Sequence, residues 1–167
     1  RMNAQSNNIE RTFIKSGISY RIIGGHRFYE RKEIRDMIAY LSVINNPNDE
    51  VRLRRIINQP KRSIGDKTLA KITDISAQTG RGMLEIMRHA DEYGDLLRTA
   101  LKLQSFATLM DDLIAIANDS TRTMHELYTQ ILERTDYINA LKAEKDEAKT
   151  RIENINKLAS NIRKYEE

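Results

Sequence analysis

The sequence contains no cysteine and no tryptophan, and only two prolines and three histidines in 167 residues. Without thiols, zinc ribbons, thiolate-held iron–sulfur clusters and disulfide scaffolds are excluded, and a reducing compartment suits the chain. His26, His89 and His125 stand without ligand spacing, so no metal site is expected. No stretch approaches the roughly 18 apolar residues of a membrane span, and the N-terminal Arg-Met-Asn-Ala-Gln-Ser-Asn lacks the apolar centre of a secretory signal. A soluble, cytoplasmic protein with no membrane partner is expected. Catalytic patterns are missing too: neither H-E-x-x-H nor G-x-S-x-G occurs. Asp111 and Asp112 are adjacent, which sets them about 100° apart on a helix rather than converging on one substrate. Gly65-Asp66-Lys67-Thr68 has the ending of a Walker A loop, but Asp66 intrudes between Gly and Lys, and Lys61 or Pro60 stands where the first glycine belongs. A phosphate-wrapping loop needs those glycines to turn its N–H groups inward. No catalytic residue is assigned, and the chain by itself is expected to be inactive.

What is present suits one ordinary domain, with 40% hydrophobic and 31% charged residues. At this size folding removes roughly 68–70% of the surface the unfolded chain exposes, enough for a core without staples. The net charge of +4 is unevenly spread: residues 21–90 carry fourteen Lys or Arg against eight Asp or Glu, the rest fourteen against sixteen. From Val51 to Lys71, seven cations (Arg52, Arg54, Arg55, Lys61, Arg62, Lys67 and Lys71) face one acid, Asp66. Such a cluster is either solvated surface or a phosphate-binding patch that gains affinity by releasing counterions from a nucleic-acid backbone. The first residue is Arg, and a helix-like pattern follows almost at once, as expected of a piece of a longer chain.

The apolar period is mostly helical, and the expected fold is mainly α: a compact multi-helix domain with a helix-hairpin-helix-like turn and a short β segment near the N-terminus. Ile34, Met37, Ile38, Leu41 and Ile44 form one stripe from about Glu30 to Asn45, stopped by Asn46-Pro47-Asn48. A short helix is predicted over Val51 to Ile57, a break at Gln59-Pro60, then a helix carrying Leu69, Ile72 and Ile75 to near Gly80. Phe106, Leu109, Met110, Leu113 and Ile116 or Ala117 mark a longer helix ending at Asn118-Asp119-Ser120. Thr123-Met124-His125-Glu126 has the capping-box form and should open another, to about Glu133. In the tail, Ile152, Ile155, Ala159 and Ile162 are spaced like a coiled-coil seam over too few heptads, so packing within the domain is expected. Ile18-Ser19-Tyr20-Arg21-Ile22-Ile23, framed by glycines, is the one plainly extended segment; its strand partners should lie elsewhere.

The strongest constellation runs from Ile56 to Ile72 and reads as helix, tight turn, helix. Gly65 permits a close backbone approach, Ile64 can plug the gap between the helices, and the second helix offers free N–H groups ringed by Lys61, Arg62 and Lys67. That is the logic of a helix-hairpin-helix, which grips phosphate through main-chain N–H groups without regard to base sequence. The bland alternative is a helix corner with incidental lysines. Gly80-Arg81-Gly82 before Met83 offers either a weaker contact of the same kind or simple capping.

Gly24-Gly25-His26-Arg27-Phe28-Tyr29-Glu30-Arg31-Lys32-Glu33-Ile34-Arg35-Asp36 resembles the G-G-x-x-F-x-x-R-x-E-I-K/R-D signature of UvrD/PcrA/Rep-type DNA helicases. Arg55-Ile56-Ile57-Asn58, Pro60, Arg62 and Ser63-Ile64-Gly65 are similar to the R-I-x-N-x-P-x-R-G-I-G that follows, Asn3-Ala4-Gln5-Ser6 to N-x-Q-S-R, and Arg151-Ile152-Glu153-Asn154-Ile155 to R-x-E-N-I/L. Together these strings cover essentially the whole chain in order. The resemblance implies a 2B subdomain over residues 30–167, with residues 1–29 forming the seam with the second motor domain. It implies that the intact protein hydrolyses ATP with Mg²⁺ and moves 3′ to 5′ on single-stranded DNA, whereas this fragment holds no cofactor. It further implies double-stranded DNA near a single-strand junction, the remaining helicase domains and repair proteins as partners. The DNA-binding residues implied or read from the turn are Lys61, Arg62, Ser63, Ile64, Gly65, Lys67, Thr68 and, less centrally, Gly82. Arg31, Glu33 and Asp36 are expected to anchor the long helix instead.

Two positions depart from the pattern. Ser63 stands where the family commonly has Gly, which strains the turn if φ is positive there, although a Ser hydroxyl can donate to a phosphate oxygen. Asn7 replaces the Arg of the Q-S-R string. Against the DNA-binding reading stands a protein-interaction or autoinhibitory helical module, with the tail helix and Asp91 to Ser120 as its contact surface.

Overall fold

The computed structural model describes residues 26–166. The extended segment expected over Ile18–Ile23 lies outside them, and the described residues contain no strand. A short helix α1, His26–Glu30, leads through an extended Arg31 (φ −63°, ψ 139°) into α2, Lys32–Asn45. This helix is buried over most of its circumference, including the charged Glu33 and Asp36, because α3 (Glu50–Ile56), α6 (Ala100–Asn118) and α9 (Ala148–Glu166) all pack on it. A turn in which Asn46 Oδ1 accepts from Asn48 N–H separates α2 from α3, and Asp49 caps α3 by accepting from Arg52 N–H at 3.3 Å.

Helix α4, Asp66–Thr79, buries only Ile72 fully, so most of its surface faces solvent. It stops where Gly80 takes φ +74°, the left-handed C-cap for which glycine pays no Cβ penalty. Helix α5, Met83–Arg88, buries Met83, Leu84, Ile86 and Met87, and two 3₁₀ turns, Ala90–Glu92 and Gly94–Thr99, bring the chain to α6. Along α6, Leu103, Phe106, Met110, Leu113 and Ala117 form one buried stripe with the expected helical spacing.

Helix α7, Met124–Thr135, opens with the predicted capping box: Glu126 N–H donates to Thr123 Oγ1 at 3.0 Å and Thr123 N–H to Glu126 Oε2 at 3.3 Å. After Asp136 in the left-handed region (φ 56°) comes α8, Tyr137–Glu144, which sequence periodicity did not reveal. In α9, Ile155, Leu158 and Ile162 are buried among the chain's own helices, so the tail seam is core rather than a coiled coil. Each such side chain removed from water contributes about 1.5–3 kcal/mol.

Two buried carboxylates fasten α2 to the end of the chain. Glu33 Oε2 accepts from Asn154 Nδ2 at 2.9 Å, and Asp36 Oδ2 accepts from the Tyr137 hydroxyl at 2.7 Å and from Lys32 Nζ at 3.2 Å. Arg55 Nε lies 3.0 Å from Asp36 Oδ1, close enough for an ion pair but without the alignment of a hydrogen bond. Glu33 and Asp36 are therefore structural, while Arg31 is exposed at the start of α2. No helix among the described residues is long and apolar enough to cross a membrane.

Candidate nucleic-acid interface

Between α3 and α4 the chain must reverse in Ile57–Gly65, a stretch with too few residues to bury a core of its own and so held by side chains around it. Asn58 clamps it from within: its Oδ1 accepts from Ile64 N–H at 3.1 Å and more weakly from Arg62 N–H at 3.4 Å, and its Nδ2 donates to the Ile64 carbonyl. The Gln59–Pro60 peptide is cis.

Arg62 turns inward. It donates through one terminal nitrogen to the carbonyls of Ile56 (2.7 Å), which also accepts from Gln59 N–H at 3.0 Å, and Ile57 (3.0 Å), and through the other to the Tyr40 hydroxyl at 2.6 Å. Its guanidinium carbon sits 4.9 Å from the centre of the Phe106 ring, a cation–π contact to α6. Tyr40 in turn donates to the Gln59 carbonyl at 2.6 Å. Burial raises the Tyr40 phenol above its ordinary value while the Arg62 charge opposes that rise, so the phenol keeps the proton it donates. Lys32 Nζ reaches Gln59 Oε1 at 2.9 Å, tying the turn to the Asp36 cluster.

Ile64 is fully buried beneath the turn, the plug its place in the sequence suggested. Ser63, beside it, is exposed at φ 59°, so the position is of the glycine-favouring kind and the strained alternative holds. Gly65 behaves oppositely. Its φ of −78° suits any residue and an added Cβ would meet nothing within 4 Å, so the chain's own packing does not demand glycine there.

Helix α4 starts at Gly65 with no side-chain cap, and its first internal bond runs from Leu69 N–H to the Gly65 carbonyl. The N–H groups of Asp66, Lys67 and Thr68 consequently have no partner within the helix, and they carry the positive end of its dipole. Lys61 and Lys67 are exposed and have no hydrogen-bond or ion-pair partner among the described residues, while Thr68 is half-buried. Exposed Asp66 opposes them at the first helical position. Lys61, Ser63, Gly65 and Lys67 are thus exposed along the turn and helix start, with Thr68 half-buried, while Arg62 and Ile64 are directed into the protein.

Gly82 belongs to another contact. Met83 N–H, at the start of α5, donates to Glu50 Oε2 at 3.3 Å, and a Cβ at Gly82 would come within 3.1 Å of Asn48 Oδ1. That helix start already holds a carboxylate, and a side chain at position 82 would require the exposed Asn48 amide to shift slightly. Sequence reasoning missed Tyr40 and Phe106, which support the turn from α2 and α6, because nothing local to the turn points to them.

The stretch with the Walker-like ending does not fit a nucleotide. It opens α4 from extended backbone, and Asp66 puts a carboxylate where a phosphate would be wrapped. No group of three or more His, Cys, Asp or Glu among the described residues could hold a metal ion.

Compared with known proteins, residues 1–167 match the model of the UvrD-like helicase C-terminal domain. The chain is 39% identical over its whole length to the ATP-dependent DNA helicase PcrA of Bacillus subtilis and 36% identical to that of Staphylococcus aureus. It spans 22% and 23% of the lengths of those two relatives. A match across the entire chain establishes that this protein belongs to the UvrD-like helicase C-terminal domain family.

Proposed function

We propose that the chain is the noncatalytic duplex-DNA-binding and regulatory subdomain, of the 2B type, of an ATP-dependent 3′-to-5′ DNA helicase acting in DNA repair or replication in the cytoplasm. Residues 30–167 constitute that subdomain and residues 1–29 its seam with the second motor domain. ATP and Mg²⁺ are handled by other parts of the longer protein, whose motor domains and repair proteins are the chain's further partners. The observation that carries the reading is the helix start at Gly65: unpaired N–H groups of α4 on a turn whose exposed cations Lys61 and Lys67 have no partner among the described residues. A duplex phosphate placed there accepts from main-chain N–H groups and is neutralised by the two lysines, contacts that read no base. The Ser63 hydroxyl in the turn and the Thr68 hydroxyl in the first turn of α4 offer side-chain donors. Arg62 and Ile64 act through the loop by holding its shape, and Gly82 would take a phosphate only by displacing Glu50.

So few phosphate contacts correspond to a dissociation constant on the order of 10⁻⁴ to 10⁻⁶ M near physiological salt. The test is fluorescence anisotropy with a duplex bearing a single-stranded tail, at low and moderate salt, comparing the wild type with a Lys61→Glu, Lys67→Glu double variant. Arg62 is left intact because replacing it would disturb the turn itself. Salt-sensitive binding that the double variant loses is expected. Absence of binding by the folded chain at low salt would sink the reading in favour of a protein-interaction or autoinhibitory role.

A further inference from the structure

A groove of about 390 Å³ opens between α6 and α7 on the inner side of the turn, within the roughly 300–1,000 Å³ range of clefts that hold ligands or anchoring side chains. Its apolar lining is Leu101, Phe106 and Leu109. Leu101 is 82% exposed and Leu97, four residues earlier, 59%; with Val51 they are the exposed large apolar residues of the described chain. Of those three, Leu101 lines the groove. Three cations line it, Lys102, Arg134 and Arg62, and no carboxylate does. Lys102 has no hydrogen-bond or ion-pair partner among the described residues. Arg134 is held by Gln130 at 3.0 Å and by Asp112 only at 3.5 Å, a long contact that an incoming carboxylate can replace.

We infer that this groove receives an acidic amphipathic segment of a partner protein, large apolar side chains entering between Leu101 and Leu109 and Asp or Glu pairing with Lys102 and Arg134. Charge complementarity selects the occupant, since an apolar lining with charges of one sign fits the apolar face of a helix whose flanking residues carry the other. Nucleic acid fits less well. Binding a single strand in such a groove rests on aromatic faces for base stacking, and the Phe106 ring is 1% exposed and covered by Arg62. The inference does not rest on the duplex-binding reading, because Leu101 and Lys102 lie on α6, outside the turn.

The experiment titrates the full chain into a fluorescein-labelled helical peptide with Leu and Phe at i, i+3, i+4 and i+7 and Glu at flanking positions. One control peptide replaces Glu by Lys, another replaces Leu and Phe by Ser, and a Leu101→Ser, Lys102→Glu variant is run alongside. Both altered side chains are exposed, and a thermal melt checks that the variant folds; amide chemical shifts of the wild type supply a second readout. Saturable binding of the acidic peptide is expected, at least about tenfold weaker for each control and for the variant, with shifts centred on residues 101–109 and 134. Equal affinity for the Lys-substituted peptide, or shifts elsewhere, would overturn the inference. So would a poly-dT oligonucleotide that binds the chain and loses affinity in Leu101→Ser, which assigns the groove to nucleic acid. A dimer in sedimentation that Leu101→Ser abolishes would instead assign it to a second copy of the chain.

Discussion

Asn154 on α9 donates to Glu33 on α2 at 2.9 Å, joining residues 121 positions apart in a site where Glu33 is 3% and Asn154 6% exposed. One turn along α2, Asp36 receives the Tyr137 hydroxyl at 2.7 Å. Burying a carboxylate costs several kcal/mol unless hydrogen bonds replace its water, so these pairings reward one register of α2 against α8 and α9 and penalise others. The same cluster reaches the turn through Lys32 and Gln59. The base of the fold and the candidate DNA contact are thus physically continuous.

Replacing Asn154 by Ala leaves Glu33 buried without that donor. The expected loss is about 2–3 kcal/mol in urea unfolding, against a change within about 0.5 kcal/mol for Asn156→Ala on the exposed face of α9. Equal effects at the two positions would show that the link does not hold the helices together.

Ser63→Gly relieves a left-handed residue. A non-glycine side chain in that region costs about 1–2 kcal/mol, offset in part by the entropy glycine loses on folding, so a gain of about 0.5–1 kcal/mol is expected. In a domain of this size the melting temperature should rise by about 1–4 °C. A lower melting temperature would mean that the Ser63 side chain stabilises the turn more than its backbone strains it.

Gly65→Ala separates folding from binding. With nothing near the added Cβ and ordinary backbone angles, stability should hold or rise by up to about 1 kcal/mol. Duplex affinity measured by anisotropy should fall several-fold if a phosphate approaches the backbone there. Undiminished affinity would remove Gly65 from the interface.

Arg62→Lys keeps the charge but not the fork that serves Ile56, Ile57 and Tyr40 together. A loss of about 1.5–3 kcal/mol is expected in denaturant unfolding. Wild-type stability in that variant would show that only the charge at position 62 matters.

Tyr128 and Tyr137 are both raised well above the ordinary phenol value of 10.0, Tyr128 by burial and Tyr137 by burial and then by the Asp36 charge. Above pH 10 the unfolded chain loses these protons while the folded one retains them, so the folded state binds more protons and stability falls as pH rises. The contribution is complete below about pH 10 and declines above it. Urea midpoints measured at pH 8, 10 and 11 should therefore fall less steeply for Tyr128→Phe than for wild type, although that variant starts lower because the bond from Tyr128 to the Ile155 carbonyl is gone. Parallel slopes would contradict the assignment.

Sequence alone determined the helical period of α2, α4, α6 and α9, the capping box at Thr123, the stop at Gly80 and the order of motifs that marks the family, because each is written in neighbouring residues. It also located the turn, while the positive φ at Ser63 came from the structure. Helix α8 escaped it, since an eight-residue helix burying only Tyr137 and Leu141 shows too little period to read. Only the tertiary structure decided that Arg62 faces Ile56, Tyr40 and Phe106 while Lys61 and Lys67 face solvent. In a turn without a repeating backbone, a side chain points to whichever distant partner satisfies it, and here those partners come from α2 and α6, 22 residues before Arg62 at Tyr40 and across the core at Phe106.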